Sequence, residues 1–126
     1  MTRLSLVSLI VPDQDAAIAW FDRALDWPVR IDQPQGDKRW IVVGPKEGGT
    51  GLVLALPRGA EQASFIGRQG GGRVWLFLET ADFEAARDRL AKAGTNLDEK
   101  PRHEPYGTVA VFTDPWGNRW DLIQPA

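Results

Sequence analysis

One histidine stands in the whole chain, His103, within Pro101-Arg102-His103-Glu104-Pro105-Tyr106-Gly107. Its imidazole is the only side chain whose ordinary pKa lies near neutrality, so it is a candidate general acid or base, with Glu104 placed to tune it. The plainer reading of a proline-flanked segment is a surface-loop histidine. Glu79 and Asp121 are the carboxylate candidates for the same chemistry. A carboxylate inside an apolar strand is costly when unpaired. Asp121 is therefore either a ligand anchor or half of an ion pair with an arginine such as Arg39 or Arg73. Glu79, near a strand end, also reads as solvated rim. Trp75 and Phe77 offer stacking faces or plain core packing, and Tyr106 adds a hydroxyl to an aromatic face. Lys38-Arg39-Trp40 joins cations to an indole, which suits an anionic ligand or a solvated strand start.

Several chemistries are excluded by absent residues. With no cysteine there is no disulfide, thiolate nucleophile, iron–sulfur cluster or Cys-based zinc site. No Gly-x-Ser-x-Gly elbow occurs, and Ser8 has no histidine near it in the strand pattern. Gly70-Gly71-Gly72 is not followed by Lys-Ser/Thr and is no phosphate loop. The balance of 15 basic against 17 acidic residues argues against nucleic acid as a partner. No apolar run approaches the roughly 18–20 residues of a membrane span. The stretch Leu4–Val11 is too short, and too interrupted by Ser5 and Ser8, for a signal peptide. These features predict a soluble, cytoplasmic single domain over residues 1–126.

The elements that must position these residues come in two copies. Val11-Pro12-Asp13-Gln14-Asp15-Ala16-Ala17 resembles Thr80-Ala81-Asp82-Phe83-Glu84-Ala85-Ala86 at an offset of 69, which falls to 68 after the helices, where Asp26 meets Gly94. The chain thus reads as a first unit at 1–57, a linker at 58–72 and a second unit at 73–126. In the first unit, strand Leu4–Val11 leads to a helix capped by Asp13, then to strands Val29–Ile31, Arg39–Val43 and Leu52–Leu56. In the second, Val74–Glu79 leads to a helix capped by Asp82 and stopped at Gly94, then to Leu97–Lys100, Thr108–Thr113 and Arg119–Gln124. A short helical turn is expected around Gln62–Ile66, and hairpin turns at Lys46–Thr50 and Asp114–Asn118.

A tandem βαβββ unit ending in Asp114-Pro115-Trp116-Gly117-Asn118-Arg119-Trp120-Asp121-Leu122-Ile123 resembles the vicinal oxygen chelate superfamily. The opening Val11-Pro12-Asp13 with Trp20-Phe21 and Leu25-Asp26-Trp27 is similar to that family's first strand and helix. Its members include glyoxalase I, extradiol dioxygenases, fosfomycin-resistance enzymes and bleomycin-resistance binding proteins. The resemblance implies an α+β fold, with tandem βαβββ units forming a curved mixed-sheet cup. It also implies metal ligands at four equivalent places, which in this chain are Leu6, Val53, Trp75 and Asp121. Leucine and valine have no lone pair and an indole N–H only donates, so neither a metal nor another cofactor is expected.

Strand alternation turns Leu6, Ser8, Ile10, Trp75, Phe77 and Glu79 to the concave side, with Val53, Ala55, Asp121 and Ile123. Leu52, Leu54 and Leu56 face the helices. The expected ligand contacts are Asp121, Trp75, Phe77, Ser8, Ala55, Tyr106 and Arg39. Three functions compete. One is a metal-free protein binding a small aromatic or cationic molecule. Another is an enzyme of lyase, isomerase or oxygenase type, metal-free or with an atypical ligand set, using Asp121, Glu79 or His103. The third is a regulatory module with no small ligand. Relatives associate so that sheets complete a cup, which implies a homodimer, with Trp27 and Trp116 on turns as candidate anchors.

Overall fold

The computed structural model describes residues 1–126, which divide into two compact units, Met1–Ser64 and Phe65–Ala126. The first contains β1 (Leu6–Ile10), α1 (Gln14–Leu25), β2 (Val29–Gln35), β3 (Lys38–Val43), β4 (Gly51–Ala55) and the short α2 (Gly59–Ser64). The second contains β5 (Val74–Glu79), α3 (Phe83–Lys92), β6 (Arg102–Glu104), β7 (Gly107–Thr113) and β8 (Arg119–Pro125). Each unit holds a four-stranded sheet, ordered β1-β4-β3-β2 in the first and β5-β8-β7-β6 in the second. β1 runs parallel to β4, and β5 to β8, while the other neighbours are antiparallel. The architecture is the expected α+β repeat of βαβββ. No helix is long and apolar enough to cross a membrane.

The repeat is visible at the level of single atoms. Asp13 caps α1 by accepting from the Ala16 N–H at 3.0 Å, and Asp82 caps α3 by accepting from Ala85 at 3.1 Å. At the other helix ends, Asp26 (φ 56°) and Gly94 (φ 87°) both adopt the left-handed conformation that closes a helix. In the first unit Ala17, Trp20, Phe21 and Ala24 of α1 are buried, as are Leu9, Ile41, Val43, Leu52 and Leu54 of the sheet. Burying each large side chain contributes about 1.5–3 kcal/mol, which sets which strand face meets the helix. In the second unit the register partners Phe112 and Trp120 stack with centroids 5.7 Å apart, and Phe83, Leu90 and Leu122 are buried too.

The Asp114–Asn118 turn is built around one buried carboxylate. Asp114 Oδ1 accepts from the N–H groups of Trp116, Gly117 and Asn118 at 3.0, 3.0 and 2.9 Å. Its Oδ2 accepts from Asn118 Nδ2 and from the Trp120 indole, each at 3.0 Å. The Asp-Pro-x-Gly-Asn motif is thus a turn that fixes the start of β8 and, through it, Asp121.

Some sequence expectations are corrected. Leu97–Lys100 is not a strand. Leu97 makes one isolated bridge to Phe112, and the Glu99 carboxylate then takes the Val111 N–H at 2.8 Å in place of a backbone carbonyl. Pairing resumes at Arg102–Glu104, so His103 lies in an edge strand opposite Thr108 and not in a loop. Leu56 is 50% exposed because β4 ends at Ala55, before Pro57. The helical turn in the linker comes earlier than expected, at Gly59–Ser64. Trp27 and Trp116 are only partly exposed: Trp27 stacks on Phe21 at 5.7 Å, and Gly67 approaches Trp116 so closely that a β-carbon there would strike its carbonyl.

Candidate functional site

In the first unit, Ser8, Ala55 and Arg39 line one cavity of about 610 Å³, a volume suited to a small organic molecule. Ser8 pairs with Val53 and Ile10 with Ala55 across β1 and β4, so the strands supply a floor of small and apolar groups. Trp40 and Lys38 of β3, Arg58 just before α2 and Gln62 within α2 also line it. The buried Gln14 amide donates to the carbonyls of Leu54 at 2.9 Å and Arg39 at 3.3 Å, tying β3 and β4 to the start of α1. Arg39 itself is committed within the fold. Its Nη2 meets Asp32 Oδ2 at 2.8 Å and its Nη1 meets Asp15 Oδ1 at 3.0 Å. Those hydrogen bonds, Asp32 first, hold its guanidinium more firmly protonated than usual.

In the second unit, Asp121 sits in β8 between Phe77 of β5 and Val111 of β7. Its flanking residues Trp120 and Leu122 are buried, and alternation turns Asp121 to the opposite face of the sheet. Asp121 Oδ1 is buried and has no hydrogen-bond partner. Burial pushes this carboxyl above the usual range, opposed by the nearby charges of Arg102 and Arg119 and reinforced by Glu99. Of the expected partners Arg39 and Arg73, Arg39 is engaged by Asp32 and Asp15, and the cations whose charges act on Asp121 are Arg102 and Arg119. Glu99 behaves in the opposite way. The Val111 N–H holds its carboxyl below the usual range, helped by Arg102, whose Nε donates to it at 3.0 Å.

The remaining candidates flank this carboxylate on β5 or lie along β6 and β7. Phe77, directly opposite Asp121, is 70% exposed, an unusual state for a phenylalanine inside a strand. Trp75 is half-buried at an irregularity in the β5–β8 register. Glu79 is exposed and pairs in register with Ile123. Tyr106 is 57% exposed in the turn between β6 and β7. His103 is exposed, with its Nδ1 3.3 Å from Thr108 Oγ1. The Glu104 carboxylate lies 3.6 Å from Arg102 Nη1. Arg102 and Glu99 were missed as neighbours of Asp121 because the contact runs across strands whose register depends on the interruption at Glu99.

The donor set does not fit the metal that the fold implies. Of Leu6, Val53, Trp75 and Asp121, only Asp121 can ligate. Register places Ser8 opposite Val53 and Phe77 opposite Asp121, so choosing those neighbours instead adds one hydroxyl and one phenyl ring. Nowhere do three or more His, Cys, Asp or Glu side chains converge as a metal would need.

Comparison with known proteins agrees with this fold. A protein of Shewanella frigidimarina is 44% identical over 121 residues, covering 94% of this chain and 90% of its own. The ethylmalonyl-CoA/methylmalonyl-CoA epimerase of Cereibacter sphaeroides is 30% identical over 118 residues, with 90% and 88% of the two chains covered. The crystal structure of TnmS3, an antibiotic binding protein from Streptomyces sp. CB03234, superposes with a TM-score of 0.79 at 32% identity, covering 100% of this chain and 98% of that one. The family model Glyoxalase/Bleomycin resistance protein/Dioxygenase superfamily matches residues 3–122, nearly the full span of both βαβββ units. The chain therefore belongs to the glyoxalase/bleomycin resistance protein/dioxygenase superfamily.

Proposed function

We propose that this chain is a metal-free binding member of its superfamily, a cytoplasmic homodimer that sequesters a small planar molecule bearing a cationic or hydrogen-bond-donating group. The observation that carries this reading is the pairing of Phe77 with Asp121. An exposed aromatic, Phe77, stands in register with a carboxylate whose buried oxygen has no partner, and that carboxylate is on a position where metal-dependent relatives hold a ligand. A planar ligand would stack on the ring and give the carboxylate the bond it lacks. The likeness to TnmS3 supports binding as the activity. Calorimetric titration with planar aromatic amines, proflavine first, after dialysis against a chelator tests the reading. Saturable one-to-one binding is expected, weakened in Asp121→Asn. Absence of saturable binding by any planar amine, or a requirement for metal, would overturn it.

A second reading rests on the likeness to the epimerase together with the raised pKa of Asp121. A carboxyl pushed upward is a better proton carrier near neutrality, so Asp121 would exchange a proton with a carbon acid. Solvent deuterium entering methylmalonyl-CoA in the presence of chelator would favour this reading. No incorporation would leave binding alone.

A further inference from the structure

We infer that the cavity of the first unit binds a planar organic anion, a carboxylate, sulfonate or phosphate ester carried on an aromatic ring. The inference goes beyond the reading above: it concerns the first unit, and a ligand opposite in charge to the one Asp121 would hold. Three observations on the same lining point there. Lys38 and Trp40 lie two residues apart on β3, where alternation puts both side chains on one face, and both border the cavity. Arg58 borders it from the β4–α2 connection. Neither the Lys38 ammonium nor the Arg58 guanidinium has a carboxylate partner, whereas the intervening Arg39 is held by Asp15 and Asp32. Asp37 is the one acidic residue on the lining, so the uncommitted charge there is net positive. Val53, Ala55 and Leu56 offer an apolar floor beside the Trp40 indole. A ring between floor and indole would carry its acidic group to the two cations at the rim.

The test compares two fluorescent probes that share a ring system. 8-Anilinonaphthalene-1-sulfonate carries the anion, and N-phenyl-1-naphthylamine lacks it. The sulfonate should bind about tenfold or more tighter than the neutral probe at low salt and lose that advantage as salt screens exposed charges. Lys38→Gln combined with Arg58→Gln should remove the difference, leaving neutral-probe affinity and melting temperature unchanged. These side chains are exposed, so the variant keeps its fold. Ala55→Phe, which fills the floor, should abolish both probes, with circular dichroism confirming the fold. Sulfonate binding no tighter than that of the neutral probe, or unaffected by the double substitution, would overturn the anion assignment while the small-molecule reading stands. Failure of both probes to bind would overturn the assignment and leave the Phe77–Asp121 reading to its own titration.

Discussion

Two carboxylates of the second unit carry opposite perturbations, and each predicts a pH dependence of its own sign. Burial raises Asp121, so the folded chain holds its proton more tightly than the unfolded chain does. Its ionisation therefore costs stability as pH rises through the folded pKa. Asp121→Asn should match or exceed the parent in melting temperature at neutral pH, and the two should converge as acid protonates the parent carboxyl. Glu99 is lowered by the Val111 N–H, so its contribution is present above the unfolded pKa and disappears as pH falls through the folded one. Glu99→Gln should therefore melt lower at neutral pH, with the gap closing in acid. Calorimetric scans from about pH 3 to 8 decide both. A lower melting temperature for Asp121→Asn at neutral pH would mean the carboxylate already has a stabilising partner. The same variant should weaken binding of a planar cation by about 1.5–3 kcal/mol, the scale of a hydrogen bond to a charged group.

At the scale of elements, the turn before β8 does the positioning. Asp114 is 4% exposed and accepts from three backbone N–H groups, one amide and one indole. Asp114→Ala leaves those buried donors without an acceptor and should cost about 3 kcal/mol or more. Asp114→Asn can keep the Oδ1 bonds but not the two at Oδ2, and should fall between alanine and the parent. Thermal unfolding measures the order, and an alanine variant as stable as the parent would refute the role. This turn was legible in the sequence because its chemistry is local. The same holds for the helix caps at Asp13 and Asp82 and for the alternation that turned Asp121 away from the helix. β6 was not legible, because its register follows from a side chain, Glu99, standing in for a backbone acceptor. For the same reason Arg102 and Glu99 were hidden as neighbours of Asp121, since Arg102 reaches that region only through the β6–β7–β8 pairing. The first cavity was half legible: Ser8 and Ala55 followed from strand faces and Arg39 from the Lys38-Arg39-Trp40 run, but Arg58 arrives from the β4–α2 connection, which has no periodicity.

At the scale of the whole molecule, both proposals beyond the fold can be read in solution. The proposed homodimer should sediment at twice 14.0 kDa at tens of micromolar, and a persistent 14.0 kDa species would refute it. Exposed Phe77, Tyr106 and Leu4 give such an association apolar surface to bury. Metal independence is the sharper test because linkage amplifies it. An ion held by the folded chain alone at about a hundred times its dissociation constant adds about 2.7 kcal/mol to stability, and a chelator would remove that amount. For a domain of this size the loss would lower the melting temperature by several degrees. The ligand positions here offer one carboxylate, two aliphatic side chains and an indole, so chelation should shift neither the melting temperature nor the affinity for a planar amine. Elemental analysis of the purified protein supplies the independent check. A stoichiometric transition metal that is lost in Asp121→Asn, together with a chelator-induced fall in melting temperature, would place a metal at Asp121 and reverse the proposal.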